Sequence, residues 1–234
     1  MQKYTRVLLK LSGEALGKDG RGIDLETVEK VARMIAYLKN KYNLIIAIVV
    51  GGGNIFRGRQ TEGTIINRAS ADYVGMTATI PNGLILQAFL EAMQIKTRVM
   101  SYLEMRQAYE AYIHRMALSH LDAGKVIILV GGLGIPFSST DLAAAQFAAE
   151  FNCVLLKGST VAGIFDKDPN IYPDAVLYKT LSYQDALVQG LKVMDGTAFA
   201  LCQTNKIPII VFDIDDLDNI ERIICGEEVG TLVS

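Results

Sequence analysis

Several residue types are scarce in this chain of 234 residues. It has no tryptophan, five prolines, three cysteines and two histidines, and no run of lysine or arginine. Because proline is scarce and no stretch is of low complexity, the sequence predicts neither a linker nor a disordered tail. The formal net charge is −2, which argues against a nucleic-acid surface as the main function of the protein.

The three cysteines are Cys153, Cys202 and Cys225, an odd number at wide spacing, and each lies in an apolar segment. They are predicted to be reduced core residues, which indicates a reducing compartment, with the cytoplasm as the default. The N-terminus lacks the apolar core and the small-residue cleavage site of a secretory signal. No apolar stretch reaches the roughly 18 residues that would predict a membrane span.

The two histidines, His114 and His120, are too far apart on one predicted helix to share a face well. They are interpreted as structural residues, and no cluster of metal-ligating residues is evident in the sequence. A catalytic set of serine or cysteine with histidine and aspartate is also missing. The sequence therefore predicts neither a resident metal nor nucleophilic catalysis.

Short aliphatic runs alternate with helical patterns along most of the chain, without an internal repeat. Unbroken aliphatic runs that end in glycine are typical of strands buried on both faces of a parallel sheet. Predicted strands cover residues 7–11, 44–50, 97–102, 126–130, 153–156, 207–213 and 231–233. Predicted helices cover residues 25–38, 67–93 with a break or kink at Pro81, 108–122, 142–151, 182–190, 197–205 and 219–224.

This alternation predicts an α/β fold, with helices on both sides of a mainly parallel sheet. We expect one domain over residues 1–234, with an N-terminal lobe to about residue 150 and a C-terminal lobe over about 151–234. Ligands of such sheets bind at the carboxyl ends of the strands, and three predicted ends here carry Gly, Ser, Lys or Asp. The two standard glycine-rich phosphate motifs, G-x-x-x-x-G-K-[ST] and a G-x-G-x-x-G after a strand, are absent.

The carboxyl end of the first predicted strand carries Lys10, Leu11, Ser12 and Gly13. A buried lysine is costly unless its ammonium faces a cleft or a partner. One interpretation is a lysine on an edge strand whose ammonium reaches water. The other places the ammonium beside a phosphate, with the Ser12 and Gly13 amides completing an anion site.

A glycine triplet, Gly51, Gly52 and Gly53, follows the second predicted strand. Three consecutive glycines allow close backbone approach and positive φ, and they leave N–H groups available to an anion. The triplet could be an ordinary turn. Arg57, a few residues later, can grip phosphate oxygens with two parallel hydrogen bonds and favours a phosphate site.

Residues 131–141 join a predicted strand to a predicted helix and are the most informative stretch. They are rich in backbone and hydroxyl donors and end with Asp141 in the first turn of the helix. Ser139 or Thr140 could serve only as a helix cap, and Asp141 only as a partner of the helix dipole. Those roles need one or two residues, so the whole segment favours a ligand site.

Lys157, with Gly158 and Ser159, comes after the strand at residues 153–156 and repeats the arrangement of Lys10. Two cationic strand ends with an acid between them suit a transition state whose charge spreads over phosphoryl oxygens. Residues 163–169 follow, and Asp168 with its neighbouring proline could be a plain turn. An acceptor that is itself a phosphate is largely dianionic at neutral pH, so its phosphorylation needs charge neutralisation and alignment but no general base.

Taken together, these segments resemble the bacterial uridylate kinases, a branch of the amino acid kinase superfamily. The resemblance rests on residues 7–16, 51–58, 134–141, 163–169 and 191–195, and runs in register from about Tyr4 to the C-terminal Gly-Thr-Leu-Val. It implies a three-layer α/β/α sandwich assembled as a homohexamer. It also implies ATP, with its Mg²⁺, as phosphate donor and UMP as acceptor, giving UDP for pyrimidine nucleotide synthesis.

The resemblance implies roles for individual residues as well. Catalytic roles are implied for Arg57, Lys10 and Lys157, and for Asp141 as the acid that organises the two lysines. The implied ATP contacts are Lys10, Leu11, Ser12, Gly13, Gly53, Arg57, Ser159, Phe165 and Asp168. The implied UMP contacts are Gly52, Asp72 (at the ribose), Leu133, Gly134, Ile135, Pro136, Phe137, Ser138, Ser139 and Thr140.

The chain departs from many of these relatives at two positions, with Ala162 in place of Asp and Ser159 in place of Thr. Residues 17–22 match a loop linked to GTP activation in some relatives. Gln87 and Glu91 stand where some of those relatives carry basic residues, although Arg98 is kept. An acid that faces a GTP phosphate would repel it.

Two other functions stay open on the sequence alone. One is a related kinase that acts on a carboxylate or a carbamate, and the other is a non-catalytic protein that stores oxyanions. Residues 133–140 and Asp72 favour a nucleotide over a small acid. The presence of both Lys10 and Lys157 favours catalysis over storage.

Overall fold

The structure, a computed structural model, describes residues 2–61, 63–190 and 194–234. In the resembling segment at 191–195, residues 191–193 therefore lie outside the described residues. Within the described part of the chain, no helix has the length and hydrophobicity needed to span a bilayer.

The described residues form one nine-stranded sheet that runs through both predicted lobes. The strands are β1 (Arg6–Leu11), β2 (Ile45–Val50), β3 (Thr97–Ser101), β4 (Glu110–Ala111), β5 (Val126–Val130), β6 (Val154–Ser159), β7 (Thr180–Leu181), β8 (Ile209–Asp213) and β9 (Thr231–Val233). Their order across the sheet is β4-β3-β5-β2-β1-β6-β8-β9-β7. The paired strands are parallel except β8 and β9, which are antiparallel, so the predicted mainly parallel sheet is confirmed.

Helices cover both faces of this sheet. They are α1 (Leu25–Tyr42), α2 (Arg68–Thr77), α3 (Thr79–Ala92), α4 (His114–Asp122), α5 (Thr140–Glu150), α6 (Tyr183–Val188), α7 (Gly196–Asn205) and α8 (Asp218–Ile224). One hydrophobic core lies between the sheet and α1, α3 and α8, and a second lies between the sheet and α4, α5 and α7. The predicted three-layer α/β/α sandwich is confirmed.

The side-chain alternation of β1 decides which face carries Lys10. Val7, Leu9 and Leu11 are buried in the core on the α1 side, whereas Leu8 is buried in the core on the α5 side. Because successive strand residues point to opposite faces, Lys10 shares the α5 face with Leu8. The same alternation in β6 puts Lys157 on the α5 face.

The predicted helix over residues 108–122 is wrong in its first half. Residues 110–111 form β4 beside β3, and the Tyr112 amide donates to the Ser101 carbonyl at 2.7 Å. Since these backbone groups bond to the sheet edge, they are not available to a helix, and α4 begins only at His114.

Three other predictions need correction. The strand predicted over residues 153–156 continues to Ser159, so Lys157 lies inside β6 rather than after it. The break predicted near Pro81 falls at Ala78, and Pro81 occupies the first turn of α3, where its missing N–H costs no helical hydrogen bond. Cys225 is only half-buried beside the Tyr42 hydroxyl, while Cys153 and Cys202 are buried as predicted.

Candidate active site at the carboxyl ends of the central strands

Lys10 and Lys157 are neighbours across the two central strands. They are register partners in the parallel pair of β1 and β6, and both face α5. Their residues are 8 % and 6 % exposed, respectively. Two ammonium groups buried side by side repel each other and lose hydration, so this arrangement needs a counter-charge.

Asp141 provides that counter-charge from the first turn of α5. Lys10 Nζ lies 2.9 Å from Asp141 Oδ1, and Lys157 Nζ donates to Asp141 Oδ1 and Oδ2 at 2.8 and 2.7 Å. We call Lys10, Asp141 and Lys157 the lysine–aspartate cluster. With both lysines charged, one carboxylate leaves the cluster with a formal charge of +1, which suits a site for an anion.

Burial and charge act against each other within the cluster. Burial alone raises the pKa of Asp141, but the charges of Lys10 and Lys157 outweigh it, and the pKa lies below its usual value of 3.8. Burial, together with the charge of Lys10, lowers the pKa of Lys157 to about 8, although Asp141 opposes that shift. Lys157 therefore keeps most of its charge at neutral pH and loses it in mildly alkaline solution.

The glycines after β1 and β2 bring two loops into contact. A Cβ at Gly13 would lie 2.6 Å from the Gly53 nitrogen, and a Cβ at Gly52 would lie 2.9 Å from the Ala78 carbonyl carbon. The close approach predicted for the triplet is confirmed by these contacts. Positive φ is not found at Gly51, Gly52 or Gly53, so that part of the prediction is wrong.

Sequence reasoning missed the buried amide pair that braces this turn. Asn82 of α3 donates to the Gly51 carbonyl at 2.8 Å and to Asn54 Oδ1 at 2.8 Å. Asn54 returns a 3.0 Å hydrogen bond to Asn82 Oδ1. The available signal was an asparagine within the mostly apolar run at residues 80–86, because a buried polar side chain there needs partners.

A cavity of about 380 Å³ opens beside the glycine turn, and we call it the acceptor cavity after the acceptor contacts that the resemblance implies there. It brings together five of the predicted UMP contacts, and it also contains Gly53 and Arg57. Leu133, Gly134, Ile135, Pro136 and Phe137 do not line it, although Gly132 does. The five predicted contacts that line it are Gly52, Asp72, Ser138, Ser139 and Thr140.

Asp72 connects α2 to the loop at residues 131–141. Its Oδ2 accepts a 2.8 Å hydrogen bond from the Phe137 amide, and its Oδ1 accepts a 2.7 Å bond from Arg68 Nε. Phe137 is 72 % exposed and has a φ of 61°, an unusual conformation for a non-glycine residue. The Asp72 carboxylate thus anchors a strained part of this loop beside the cavity.

The two serines of the acceptor cavity differ in their bonding. Ser139 caps α5, and its hydroxyl is engaged with the Leu142 amide and the Asp195 carboxylate. The Ser138 hydroxyl is buried and has no hydrogen-bond partner among the described residues. A buried hydroxyl without a partner is costly, so this position fits a polar ligand.

A larger cavity of about 1000 Å³ lies on the other side of Arg57, and we call it the donor cavity after the ATP contacts Gly53 and Arg57 that the resemblance implies there. Gly53 and Arg57 line both cavities and therefore stand at their boundary. Arg57 is paired with Glu14, a residue that sequence reasoning did not single out. Glu14 lies in the 3-10 helix Gly13–Leu16, which is capped by the Ser12 hydroxyl.

The other predicted ATP contacts are dispersed. Phe165 and Asp168 line a separate cavity of about 390 Å³. Ser159 ends β6, and its carbonyl accepts a 2.9 Å hydrogen bond from the Ile214 amide. The Leu11 side chain is buried on the α1 side of the sheet, and only its carbonyl faces the glycine turn, at 2.8 Å from the Gly51 nitrogen.

This combination of fold and site defines a class of protein. A mainly parallel α/β/α sheet with cationic groups and glycine turns at its carboxyl edge is typical of enzymes that handle phosphorylated ligands. The model of the amino acid kinase family matches residues 5–213. The chain belongs to this family and is a kinase.

Solved structures of two UMP kinases are similar to the whole chain. The enzyme from Bacillus anthracis is 37 % identical with a TM-score of 0.94, over 99 % of this chain and 96 % of that one. The enzyme from Ureaplasma parvum is 36 % identical with a TM-score of 0.90, over 99 % of each chain. These matches confirm the predicted resemblance. Uridylate kinase from Archaeoglobus fulgidus, at 22 % identity and a TM-score of 0.74 over both full chains, shares the fold.

Proposed function

We propose that the protein transfers the γ-phosphate of ATP to UMP and forms UDP for pyrimidine nucleotide synthesis. The observation that carries the proposal is the buried lysine–aspartate cluster, whose chain neighbours reach both cavities. Thr140, next to Asp141, lines the acceptor cavity, and Glu14, shortly after Lys10, lines the donor cavity. The similarity to two UMP kinases supports UMP as the acceptor.

The chemistry assigned to the cluster is charge neutralisation. UMP is largely dianionic at neutral pH and can attack without losing a proton, so the reaction needs no general base. As the phosphoryl group moves, negative charge spreads over its oxygens, and fixed ammonium groups stabilise that charge better than mobile water does. Asp141 holds both lysines in place and keeps their mutual repulsion from separating them.

The donor is proposed to be ATP, which brings its own Mg²⁺ as part of the substrate. Arg57 lines both cavities, which supports a role for it in contacting the phosphate that moves from one to the other. For this contact, the Arg57 guanidinium would have to leave the Glu14 carboxylate and bind phosphate oxygens instead. The adenine nucleotide would extend toward Ser159, Phe165 and Asp168.

The acceptor cavity is proposed to hold UMP. Gly52 offers backbone close to the phosphate, and Asp72 is an acceptor for ribose hydroxyls. The unpartnered Ser138 hydroxyl supports a polar ligand here. Following the same resemblance, we propose that the protein assembles as a hexamer and acts in the cytoplasm.

The proposal is tested by measuring ADP release from ATP with single acceptors: UMP, CMP, dUMP, aspartate and acetylglutamate. We expect the highest kcat/KM with UMP. Turnover only with an amino acid would instead identify a carboxylate kinase. Binding of oxyanions without turnover of any acceptor would favour a storage protein and contradict the proposal.

A further inference from the structure

Asp195 links the first turn of α7 to the first turn of α5. Its Oδ1 accepts a 2.8 Å hydrogen bond from the Ala198 amide and so caps α7. Its Oδ2 accepts a hydrogen bond from the Ser139 hydroxyl. One carboxylate therefore joins the N-termini of two helices that are separated by a long stretch of chain.

Ser139 passes this link on to α5. Its hydroxyl oxygen accepts a 2.9 Å hydrogen bond from the Leu142 amide, which makes Ser139 the N-cap of the helix. A hydroxyl has a single proton, and here that proton is given to Asp195. The donor and acceptor roles of Ser139 are thus both fixed, which sets the orientation of the first turn of α5.

That first turn carries Asp141, two residues after the cap. The two helices are closely packed, and their buried residues include four alanines, Ala144, Ala145, Ala148 and Ala198, beside the larger Phe147 and Phe199. Alanines permit close approach and interlock less than larger side chains do, so the sliding of one helix along the other is set in part by contacts at their ends. A charge-assisted hydrogen bond at the shared end supplies that constraint.

We propose that Asp195 is a positioning residue that acts through Ser139 to hold Asp141 between Lys10 and Lys157. The inference rests on the proposed phosphoryl transfer, for which the cluster must be aligned. Loss of the link lets the first turn of α5 shift, and the Asp141 carboxylate then no longer meets both ammonium groups. Such a shift lowers the rate of the chemical step more than it changes substrate binding.

The substitution Asp195→Asn separates this role from helix capping. Asparagine is as good an N-cap as aspartate, so the hydrogen bond from the Ala198 amide is kept. The amide nitrogen that replaces Oδ2 cannot accept the Ser139 proton, so the charge-assisted hydrogen bond to α5 is lost, and at most a weaker neutral hydrogen bond from this nitrogen to Ser139 Oγ replaces it. We expect kcat to fall about 10-fold while the KM for ATP changes by less than about 2-fold.

Asp185→Asn is the matched control. Asp185 accepts a hydrogen bond from the Ser182 hydroxyl at 2.5 Å, so it repeats the serine–aspartate pair at the N-terminus of α6. Within the part of the chain that the structure describes, its side chain forms no hydrogen bond or ion pair with the lysine–aspartate cluster. This variant should keep the wild-type kcat. A fall of kcat in both variants alike would point to general loss of negative charge and would overturn the inference.

Two further measurements decide the matter. If Asp195 acts through Ser139, the double variant Ser139→Ala with Asp195→Asn has a kcat within about 2-fold of Ser139→Ala alone. Hydrogen exchange of the Leu142 amide should be faster in Asp195→Asn and unchanged in Asp185→Asn. Additive losses of kcat, or wild-type exchange in Asp195→Asn, would overturn the inference. If the wild-type protein does not phosphorylate UMP, the proposed function fails, and the exchange data still decide whether Asp195 holds α5.

Discussion

At the scale of single residues, the site contains buried charges that the stability of the fold does not require. Lys10 and Lys157 are buried on adjacent strands and repel each other, and a single carboxylate stands between them. Apolar residues of similar size would satisfy the sheet at a lower desolvation cost. The arrangement is accounted for by a ligand that brings negative charge, because only then are the two ammonium groups fully compensated.

The lowered pKa of Lys157 predicts an alkaline limit to activity. A lysine whose pKa falls from 10.5 to about 8 loses its proton in the folded protein before an exposed lysine does. The value of kcat/KM for ATP should therefore decline as pH rises through about 8. In kcat, which reports the substrate complex, the decline should lie at higher pH, because bound phosphates favour the ammonium.

Both profiles are measured at constant ionic strength with a pH-independent coupling system. Lys39→Met is a suitable control, since Lys39 is a half-buried lysine on α1 whose Nζ donates to the Leu44 carbonyl at 2.8 Å. Its profile should match the wild type. A kcat/KM that stays level on both sides of pH 8 would contradict the role given to the Lys157 ammonium.

At the scale of elements, α3 and α5 position the site from opposite faces of the sheet. Helix α5 delivers Asp141 to the lysines, and α3 braces the glycine turn through Asn82. Helix α3 can approach β5 closely because it has Gly83 at the contact. A Cβ at Gly83 would collide with Val130 Cγ1 and would lie 3.4 Å from Ile128 Cγ2.

Substitution by alanine should therefore change the free energy of unfolding in opposite directions at two glycines inside helices, Gly83 and Gly75. Gly83→Ala should lower the free energy of unfolding by about 1–3 kcal/mol, since it overpacks a rigid contact. In Gly75→Ala the new Cβ meets nothing within 4 Å. That substitution in α2 should raise the free energy of unfolding by about 0.5–1 kcal/mol, because alanine favours the helix.

Denaturant unfolding of both variants beside the wild type measures these changes. Changes of the same sign in the two variants would mean that helix propensity or the unfolded state, rather than the α3–β5 contact, decides the outcome. Equal stability of Gly83→Ala and wild type would show that α3 can move away from β5 without cost.

At the scale of the whole molecule, much of the fold could be predicted from the sequence. Unbroken aliphatic runs such as β2 and β5 identify strands covered on both faces, and the 3.6-residue period of α1 identifies a surface helix. The two-residue strands β4 and β7 were missed because so short a strand has no period. They depend on hydrogen bonds to distant residues.

The individual residues of the site could be predicted from the sequence, but their arrangement in space could not. Lys10, Asp141 and Lys157 each stand out as charges near strand ends or helix starts. The alignment of Lys10 with Lys157 is a matter of strand register, and register depends on contacts between segments far apart in the chain. The link from Asp195 to Ser139 is of the same kind, since each residue alone is an ordinary helix cap.

The proposed hexamer is a prediction at this scale. Light scattering coupled to size-exclusion chromatography should give a mass six times that of the 25.5 kDa chain. The described residues expose large apolar side chains that assembly could cover, among them Ile65, Tyr73 and Val74. A monomeric mass that persists at high protein concentration would contradict the prediction.

The central claim is phosphoryl transfer from ATP to UMP with the lysine–aspartate cluster as its electrostatic centre. It is tested most directly by following UDP formation from ATP and UMP by ³¹P NMR, with wild type and Lys10→Met in parallel. Methionine keeps a chain of similar length and removes the charge. The account predicts UDP with the wild type and a kcat at least about 10²-fold lower with Lys10→Met. Absence of UDP with folded wild type, or near-normal UDP formation by Lys10→Met, would contradict it.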